Sequence, residues 1–456
     1  MVGANTRRVG LFLAAIILGI AASQIPFPGL SLAGQITLGI FITAAILWIT
    51  EAVPLFITSF VILFSEVVFL GLPGGALGLA AGDYAIFFAP FFDPIIALFF
   101  GGFVLGIAMS RHQLDSITAQ EILHRVGNRP PWILAGFMGT TAFLSLWLSN
   151  TATTVLMIAV LMPILRMMPA HAPFRKALVL GIPFAANIGG IGTPIGTPPN
   201  AIAIANLARA GFRISFLEWM VLTIPVMLVI LALTWGLLLL FFPSETRSLT
   251  LRLPATQPLN RTSWLVVAVF LITVTLWLTT PWHGIPEGAI ALIPAVAFFG
   301  TGILETRDLG QVGWDVLFIV GGGLALGVAM DQSGLSSWIV SQINLAGLNF
   351  ISIVLILGGV AALMTTFISN SATAALLIPI IVGLEDISPV PVTIAVALAA
   401  SMSMTLPIST PPNAIAYGTG EIRTSDMIRV GGLITVASVL LVAVAATTYW
   451  SILGLR

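Results

Sequence analysis

The sequence predicts an all-α integral membrane protein, with eleven transmembrane helices and two re-entrant hairpins arranged as an inverted-topology repeat. Three observations predict it. Of the 456 residues 58% are hydrophobic and 7% charged, with a mean hydropathy of +1.10, far from the roughly 25% charged content of soluble domains. Apolar runs near the roughly 20 residues that cross a bilayer recur from end to end, and no polar segment is long enough for a separate soluble domain. The third observation is that several segments recur in the same order in both halves of the chain.

The start, MVGANTRRVGLFLAAIILGIAASQ, has the charged-then-apolar shape of a secretory signal. So many spans follow that it reads as a retained first helix with its arginines inside, and residues 1–30 are taken as an extra helix outside the repeat. Crossings are expected near 10–27, 33–50, 54–70, 89–110, 177–208, 216–242, 263–281, 285–301, 312–330, 391–418 and 427–452. The runs 131–165 and 350–384 each read as two short helices meeting at a polar Ser-Asn pair, hence as hairpins that do not cross.

With the N-terminus cytoplasmic and the C-terminus outside, 14 of the 17 Lys and Arg residues fall inside: Arg7, Arg8, Arg111, Arg125, Arg129, Arg166, Arg175, Lys176, Arg247, Arg252, Arg261, Arg307, Arg423 and Arg429. Only Arg209, Arg213 and Arg456 fall outside, so the positive-inside bias supports this orientation. The connection 243–262 is then a cytoplasmic loop. The segment SRHQLDSITAQEILHRVG reads as an amphipathic stretch on the cytoplasmic interface, and its counterpart DQSGLSSWIVSQINLAG, which has no Lys or Arg, lies outside.

The repeat units are 31–242 and 263–456. GGFVLGIAM (101–109) matches GGLALGVAM (322–330), LSNTATTVLMIAVLMP (148–163) matches ISNSATAALLIPIIV (368–382), and TPIGTPPNAIA (193–203) matches LPISTPPNAIA (406–416). A weaker match pairs LWITEAVP with LWLTTPWHGIP. Each unit holds five crossings and one hairpin. Five is odd, so the second copy enters the membrane from the opposite side, which is a transporter's design.

Asn in a membrane interior needs partners, because an unsatisfied amide there costs several kcal/mol. At a hairpin tip, Ser149-Asn150-Thr151 supplies side-chain oxygens, carbonyls ending one half-helix and free N–H groups opening the next. Ser145 and Thr365 lie one turn before Ser149 and Ser369 and can turn an oxygen toward the tip. Pro198-Pro199 and Pro411-Pro412 are expected to interrupt the helix and release carbonyls from Thr193 to Gly196 and from Thr405 to Ser409. Those oxygens suit a hard, weakly bound cation such as sodium. No Lys or Arg lies in these motifs, so an anion would be held by half-helix N-termini, hydroxyls, Asn amides and nearby cations. A lone Ser-Asn pair or PPN reads as packing glue; both kinds, twice and in repeat order, read as a transport site.

At these residues the chain resembles the divalent anion/sodium symporter family, whose marks are SNT at two hairpin tips, a G-T-P-P-N stretch and the W-x-T-E-A-x-P pattern found here from Trp48 to Pro54. The resemblance covers nearly the whole chain. It implies a homodimer with a scaffold and a mobile transport part built from the hairpins and broken helices, working as an elevator. It also implies one sodium site at Ser145, Ser149, Asn150 and Gly196, and a second at Thr365, Ser369, Asn370 and Ser409, with Thr366 and Thr410 one residue away. Substrate carboxylates would meet Asn150, Thr151, Thr197, Asn370, Ser371, Thr410 and Pro411. The second tip departs from the pattern as SNS, where Ser371 keeps the hydroxyl and loses a methyl.

Other polar residues read as structural. Glu51 and Glu287 cap or brace helices, His283 is interfacial, Asp315 and Asp331 bound the ninth crossing, and the repeated glycines permit close helix packing. The absence of cysteine rules out disulfides and thiolate chemistry, and net charge zero gives no bias toward nucleic acid. Four scattered histidines supply no enzyme's catalytic cluster, so no cofactor is expected beyond sodium as coupling ion. A channel would want an oligomeric pore and a filter rather than paired broken helices. The leading function is sodium-coupled symport of C4-dicarboxylates such as succinate, malate and fumarate; a sodium-independent dicarboxylate exchanger, or selectivity for citrate or sulfate, are the alternatives. Compact loops and the arginine bias fit a bacterial inner membrane.

Overall fold

The computed structural model describes residues 2–249, 258–342, 347–384 and 387–455. Arg252 and Arg456, both used in the charge reading, lie outside the described residues, as do positions 343–346 of the second interfacial segment. Among the described residues the secondary structure is helical throughout, with no strand.

The chain opens with α1 (Val2–Ser23), α2 (Leu32–Thr50) and α3 (Leu55–Glu66), the last running into a π-helical turn at Val67–Gly71. Ser31 caps α2 by accepting from Gly34 N, and Glu51, in the left-handed region at φ 47°, ends it. Asp93 caps α4 (Pro94–Arg111), and α5 (Leu114–His124) follows. Then come α6 (Pro130–Ser145) and α7 (Asn150–Met167), α8 (Phe174–Gly190) and α9 (Pro198–Arg209), and α10 (Phe216–Phe241). The second half runs α11 (Arg261–Leu278), α12 (Leu292–Gly300), α13 (Trp314–Gln332), α14 (Leu335–Gln342), α15 (Phe350–Phe367) and α16 (Asn370–Val382), α17 (Pro389–Ser401) and α18 (Pro411–Gly418), and α19 (Thr424–Thr447). From α2 and α11 onward the two halves thus present the same order of elements.

The weakly matched Trp segments have one structural role. Trp48 Nε1 donates to Leu55 O at 3.1 Å and Trp277 Nε1 to Glu287 O at 3.1 Å. Each indole thereby ties down the carbonyl of the residue just after the proline that opens the next helical stretch. Among the repeated glycines, a Cβ at Gly323 would come within 2.7 Å of Ala375 Cβ, so α13 and α16 approach as closely as a bare glycine allows.

Nine helices among the described residues are long and apolar enough to cross a membrane, and these include Asn150–Met167 and Phe350–Phe367, each 18 residues long. One arm of each hairpin is therefore longer than the short helices expected. In the first hairpin Pro163 sits inside α7 without ending it; neighbouring helices can satisfy the backbone groups a proline frees in such a protein.

The broken helices differ from expectation in where they break. α8 ends at Gly190 and α17 at Ser401, well before the prolines, and Pro198 and Pro411 each open the following helix. A proline at the first helical position lacks only an N–H that would have no partner there anyway, so it starts a helix rather than interrupting one.

Helix packing divides the molecule into two groups. In one, α1 packs on α2, α2 on α3, α3 on α13, and α4 on α11 and α12. In the other, α6 and α7 pack on α8, α15 and α16 on α17, and α10 on α8 and α19. The halves interlock inside this second group: α9 packs on α16 and α17, while α18 packs on α7 and α8. Contact between the groups runs chiefly through α13 with α16 and α9.

Candidate functional site

The four helices that follow a polar break all begin at one place. Ser149 caps α7 by accepting from Ala152 N at 3.2 Å, and Ser369 caps α16 by accepting from Ala372 N at 3.1 Å. Thr197 and Thr410 stand at the caps of α9 and α18. These N-termini wall a cavity of about 240 Å³ lined by Ser149, Asn150, Thr151, Gly196, Thr197, Pro198, Ser369, Asn370, Ser371, Ser409, Thr410, Pro411 and Pro412. All the residues expected at the site line it except Ser145 and Thr365. Those two are fully buried one layer behind it.

Behind each tip the same cluster recurs. Ser145 Oγ lies 2.6 Å from Asn150 Oδ1 and donates to Ala186 O at 2.8 Å; Thr365 Oγ1 lies 2.7 Å from Asn370 Oδ1 and donates to Ala400 O at 2.6 Å. Thr366 instead bonds back to Ala362 O in its own helix at 2.8 Å, which leaves Thr365 as the cluster's hydroxyl. Around Asn150 the carbonyls of Ala186 and Gly196 lie 3.3 Å from the same amide atom. With oxygen in that position, hydroxyl, carboxamide and two carbonyl oxygens converge. With the amide rotated, its nitrogen donates to all three instead.

Gly190 and Gly196 make this approach possible. A Cβ on Gly196 would collide with Gly190 O, and one on Gly190 would lie 2.7 Å from Asn150 Oδ1. In the second half Ser409 occupies the position of Gly196, and its hydroxyl donates to Leu406 O at 2.7 Å.

Several residues at the candidate site escaped the sequence reading. The Asn of each PPN ties its helix back across the break: Asn200 Nδ2 donates to Gly190 O (3.0 Å) and Thr193 O (2.8 Å), and Asn413 Nδ2 to Ser403 O (2.9 Å) and Leu406 O (3.0 Å). The carbonyls of Thr193 and Leu406, expected to face a cation, are thus engaged. Asn187, in α8, lines the cavity and donates to Thr410 Oγ1 at 3.3 Å and Asn413 Oδ1 at 3.4 Å, so it joins the two breaks. Its signal was an Asn within the apolar run LVLGIPFAANIGG. Asp315, read as a boundary residue, lies on the cavity wall beside Val316 and Ile319. Among the described residues that line the cavity, no Lys, Arg or His occurs, and Asp315 carries the one formal charge.

A second cavity, of about 400 Å³, shares Phe99, Phe103, Ser149, Thr151, Ile195 and Val316 with the first and continues toward Ser110 and Gln311. The site therefore opens toward the end of the molecule that carries Arg111 and its ion-pair partners Glu305 and Asp308.

Residues 5–456 match the family described as "Sodium:sulfate symporter transmembrane region". The chain belongs to that family. Among curated members, the sodium-dependent dicarboxylate transporter SdcS of Staphylococcus saprophyticus is 32% identical over 478 residues, covering 95% of this chain and 89% of the relative. SdcS of Staphylococcus aureus strain USA300 is 31% identical over 453 residues, covering 90% and 84%. An uncharacterized transporter of Schizosaccharomyces pombe is 31% identical over 436 residues; the match takes in 91% of this chain and half (50%) of that longer protein. In fold, the chain is similar to the YdaH transporter of Alcanivorax borkumensis, with a TM-score of 0.54 at 15% identity over 87% of this chain and 98% of that one.

Proposed function

We propose that this symporter-family chain is a secondary active transporter that couples movement of a C4-dicarboxylate (succinate, malate or fumarate) to sodium by alternating access. One observation carries the reading. The cavity is walled by four helix N-termini, offers no basic side chain and faces the carboxylate of Asp315. Helix ends contribute about half a positive charge each, which alone is a weak counter to a dianion opposed by a carboxylate. Cations beside the tips supply the rest. The clusters at Asn150 and Asn370 present carboxamide, hydroxyl and carbonyl oxygens, the donor set that broken helices use for sodium. The anion site is incomplete without the cations, and that incompleteness is the coupling. The relatives named as sodium-dependent dicarboxylate transporters support the assignment.

In this reading sodium binds at Ser145, Ser149, Asn150 and Gly196, and at Thr365, Ser369, Asn370 and Ser409. The anion meets Asn150, Thr151, Thr197, Asn370, Ser371, Thr410 and Pro411. The chain makes eleven crossings with two re-entrant hairpins in an inverted repeat, with its N-terminus in the cytoplasm of a bacterial cell and its C-terminus outside. It works as a homodimer in which the hairpin-bearing group moves as an elevator against the α1–α4 and α11–α13 scaffold.

A second reading, sodium-independent exchange, is favoured by the rotated amide of Asn150, which satisfies the first cluster without a cation. Uptake of labelled succinate into proteoliposomes separates the two. Uptake that needs a sodium gradient and no internal succinate supports symport; uptake indifferent to sodium that needs internal succinate makes the chain an exchanger. Competition by citrate or sulfate in the same assay reports selectivity.

A further inference from the structure

The central cavity opens toward the Arg111 end, so at the opposite end the two helix groups must be held closed. There a separate cavity of about 690 Å³ lies between them, bounded by the end of α9, the end of α16 (Pro379, Val382), the start of α4 and the later turns of α13. It shares no lining residue with the central site. Packing across this end is therefore interrupted, and polar bonds carry more of the closure. Arg209, the last residue of α9, lines this cavity and reaches across to the other group. Its NH1 donates to Leu324 O in α13 at 2.6 Å, and its NH2 lies 3.4 Å from Asp93 Oδ2, while Asp93 Oδ1 caps α4 through Ile95 N at 3.0 Å.

Every other ion pair among the described residues stays within one group or along one helix. Arg111 pairs with Glu305 and Asp308 inside the α4–α13 group, where Arg307 also pairs with Glu305, Arg175 with Glu421 and Lys176 with Asp426 inside the hairpin group, and Arg125 with Glu121 along α5. Arg209–Asp93 joins the two groups. Its side chains are 29% and 21% exposed, sheltered enough for a charged hydrogen bond to count. The side-chain bonds of Arg209 do not lie within its own group. It places both on the body it would have to leave.

The geometry points to Arg209 as a latch: a positioning residue that holds the transporter open to the Arg111 end and must release Leu324 O and Asp93 before the other state forms. This rests on the two-group reading of transport. A hydrogen bond to Leu324 O that is made in this state and broken in the other biases the equilibrium without touching substrate or cation.

The test uses the full chain, which has no cysteine of its own. Spin labels on Met167→Cys in α7 and Thr301→Cys just after α12 report the distance between the groups, in nanodiscs with unlabelled protein added to suppress signals between protomers. Measurements are made without sodium and with sodium plus succinate. Arg209→Gln is expected to shift the ratio of the two distance populations roughly tenfold away from the Arg111-open state, the size of one lost charged hydrogen bond. Arg209→Lys, which keeps the charge without the two-armed fork, falls between. Asp93→Asn keeps the helix cap and shifts the ratio the same way by less, and it tests the latch should Arg209→Gln not fold. Arg213→Gln, a nearby charge loss, keeps the unsubstituted ratio. Ratios for Arg209→Gln and Asp93→Asn equal to that of Arg213→Gln overturn the latch. A single unchanging distance in every background and condition overturns the two-group motion itself, and the latch with it.

Discussion

The two hairpin tips are built from different materials. At the first, four residues separate α6 from α7, and the carboxamide of Asn150 is surrounded by backbone: Ala186 O, Gly196 O and the bare Cα of Gly190. At the second, two residues separate α15 from α16, and side chains wire the break. Ser403 Oγ donates to Thr365 O (2.7 Å), Ser409 Oγ to Leu406 O (2.7 Å), and Asn413 holds Ser403 O, Leu406 O and Ser409 Oγ. Side-chain hydrogen bonds cross both breaks, at the first from Thr193 Oγ1 to Leu146 O and from Asn200, and the first adds a tight steric fit at Gly190 and Gly196 where the second has Ser409. Substitutions in the two halves should therefore fail in different ways.

The largest expected contrast is at the matched pair Gly196 and Ser409. Gly196→Ala drives a methyl into Gly190 O, an overpacking of about 1–3 kcal/mol that should abolish succinate uptake and lower the melting temperature in detergent. Ser409→Ala removes a hydroxyl and should leave measurable uptake with weaker sodium dependence. Equal losses at both positions would break the comparison.

Next come the carboxamides. Asn150→Ala and Asn370→Ala should each raise the half-saturating sodium concentration roughly tenfold or more, as expected for a lost ligand to a charged group. If one of them leaves the sodium titration unmoved, that tip is an anion site only.

The PPN asparagines sharpen the contrast at the level of stability. Asn413→Ala removes an amide whose two N–H groups are shared among three acceptors, together with the acceptor of Asn187, whereas Asn200→Ala removes two donated bonds. At about 1 kcal/mol per net hydrogen bond, Asn413→Ala should lower thermal stability clearly more, which a thermal melt of the purified protein reads directly.

Thr365→Val should weaken apparent sodium affinity several-fold, because it removes the hydroxyl between Asn370 and Ala400 O, while Thr366→Val should leave it near the unsubstituted value. Roughly the full cost of one buried hydroxyl's bonds separates them. The smallest effect is expected at Asp315. Asp315→Asn removes the one formal charge lining the cavity and should raise succinate affinity by roughly two- to fivefold, within the range of a solvent-screened charge. Measurement of succinate binding at fixed sodium checks it, and a fall in affinity would assign Asp315 a positive role in the site.

Much of the site was legible because the chain is so apolar. Against a background of 7% charged residues, Ser149-Asn150, Ser369-Asn370 and the two T-P-P-N runs stand out, and their recurrence in order marks them as one site. Asn187 was not legible in the same way. It has no Asn counterpart in the second half: the carbonyl held by Thr365 there belongs to Ala400, and the residue that follows is Ser401. The prolines were misread for a local reason: PP in an apolar run signals a break, but which side of the break it occupies depends on whether the next helix needs an N1 residue. Asp315 looked like a helix-start carboxylate, which it also is, because sequence distance says nothing about the cavity wall it joins.

The sequence by itself determined the class, the repeat, the family resemblance and the residues that gather at the centre. Each of these follows from composition or from local pattern, and a polar residue in a membrane chain announces itself by its scarcity. Only the tertiary structure decided which end of the cavity is open, that α9 packs on the second hairpin and α18 on the first, and that Arg209 reaches α13. Those are relations between segments more than a hundred residues apart, set by how two apolar helix groups pack, and many packings satisfy the same hydrophobic pattern.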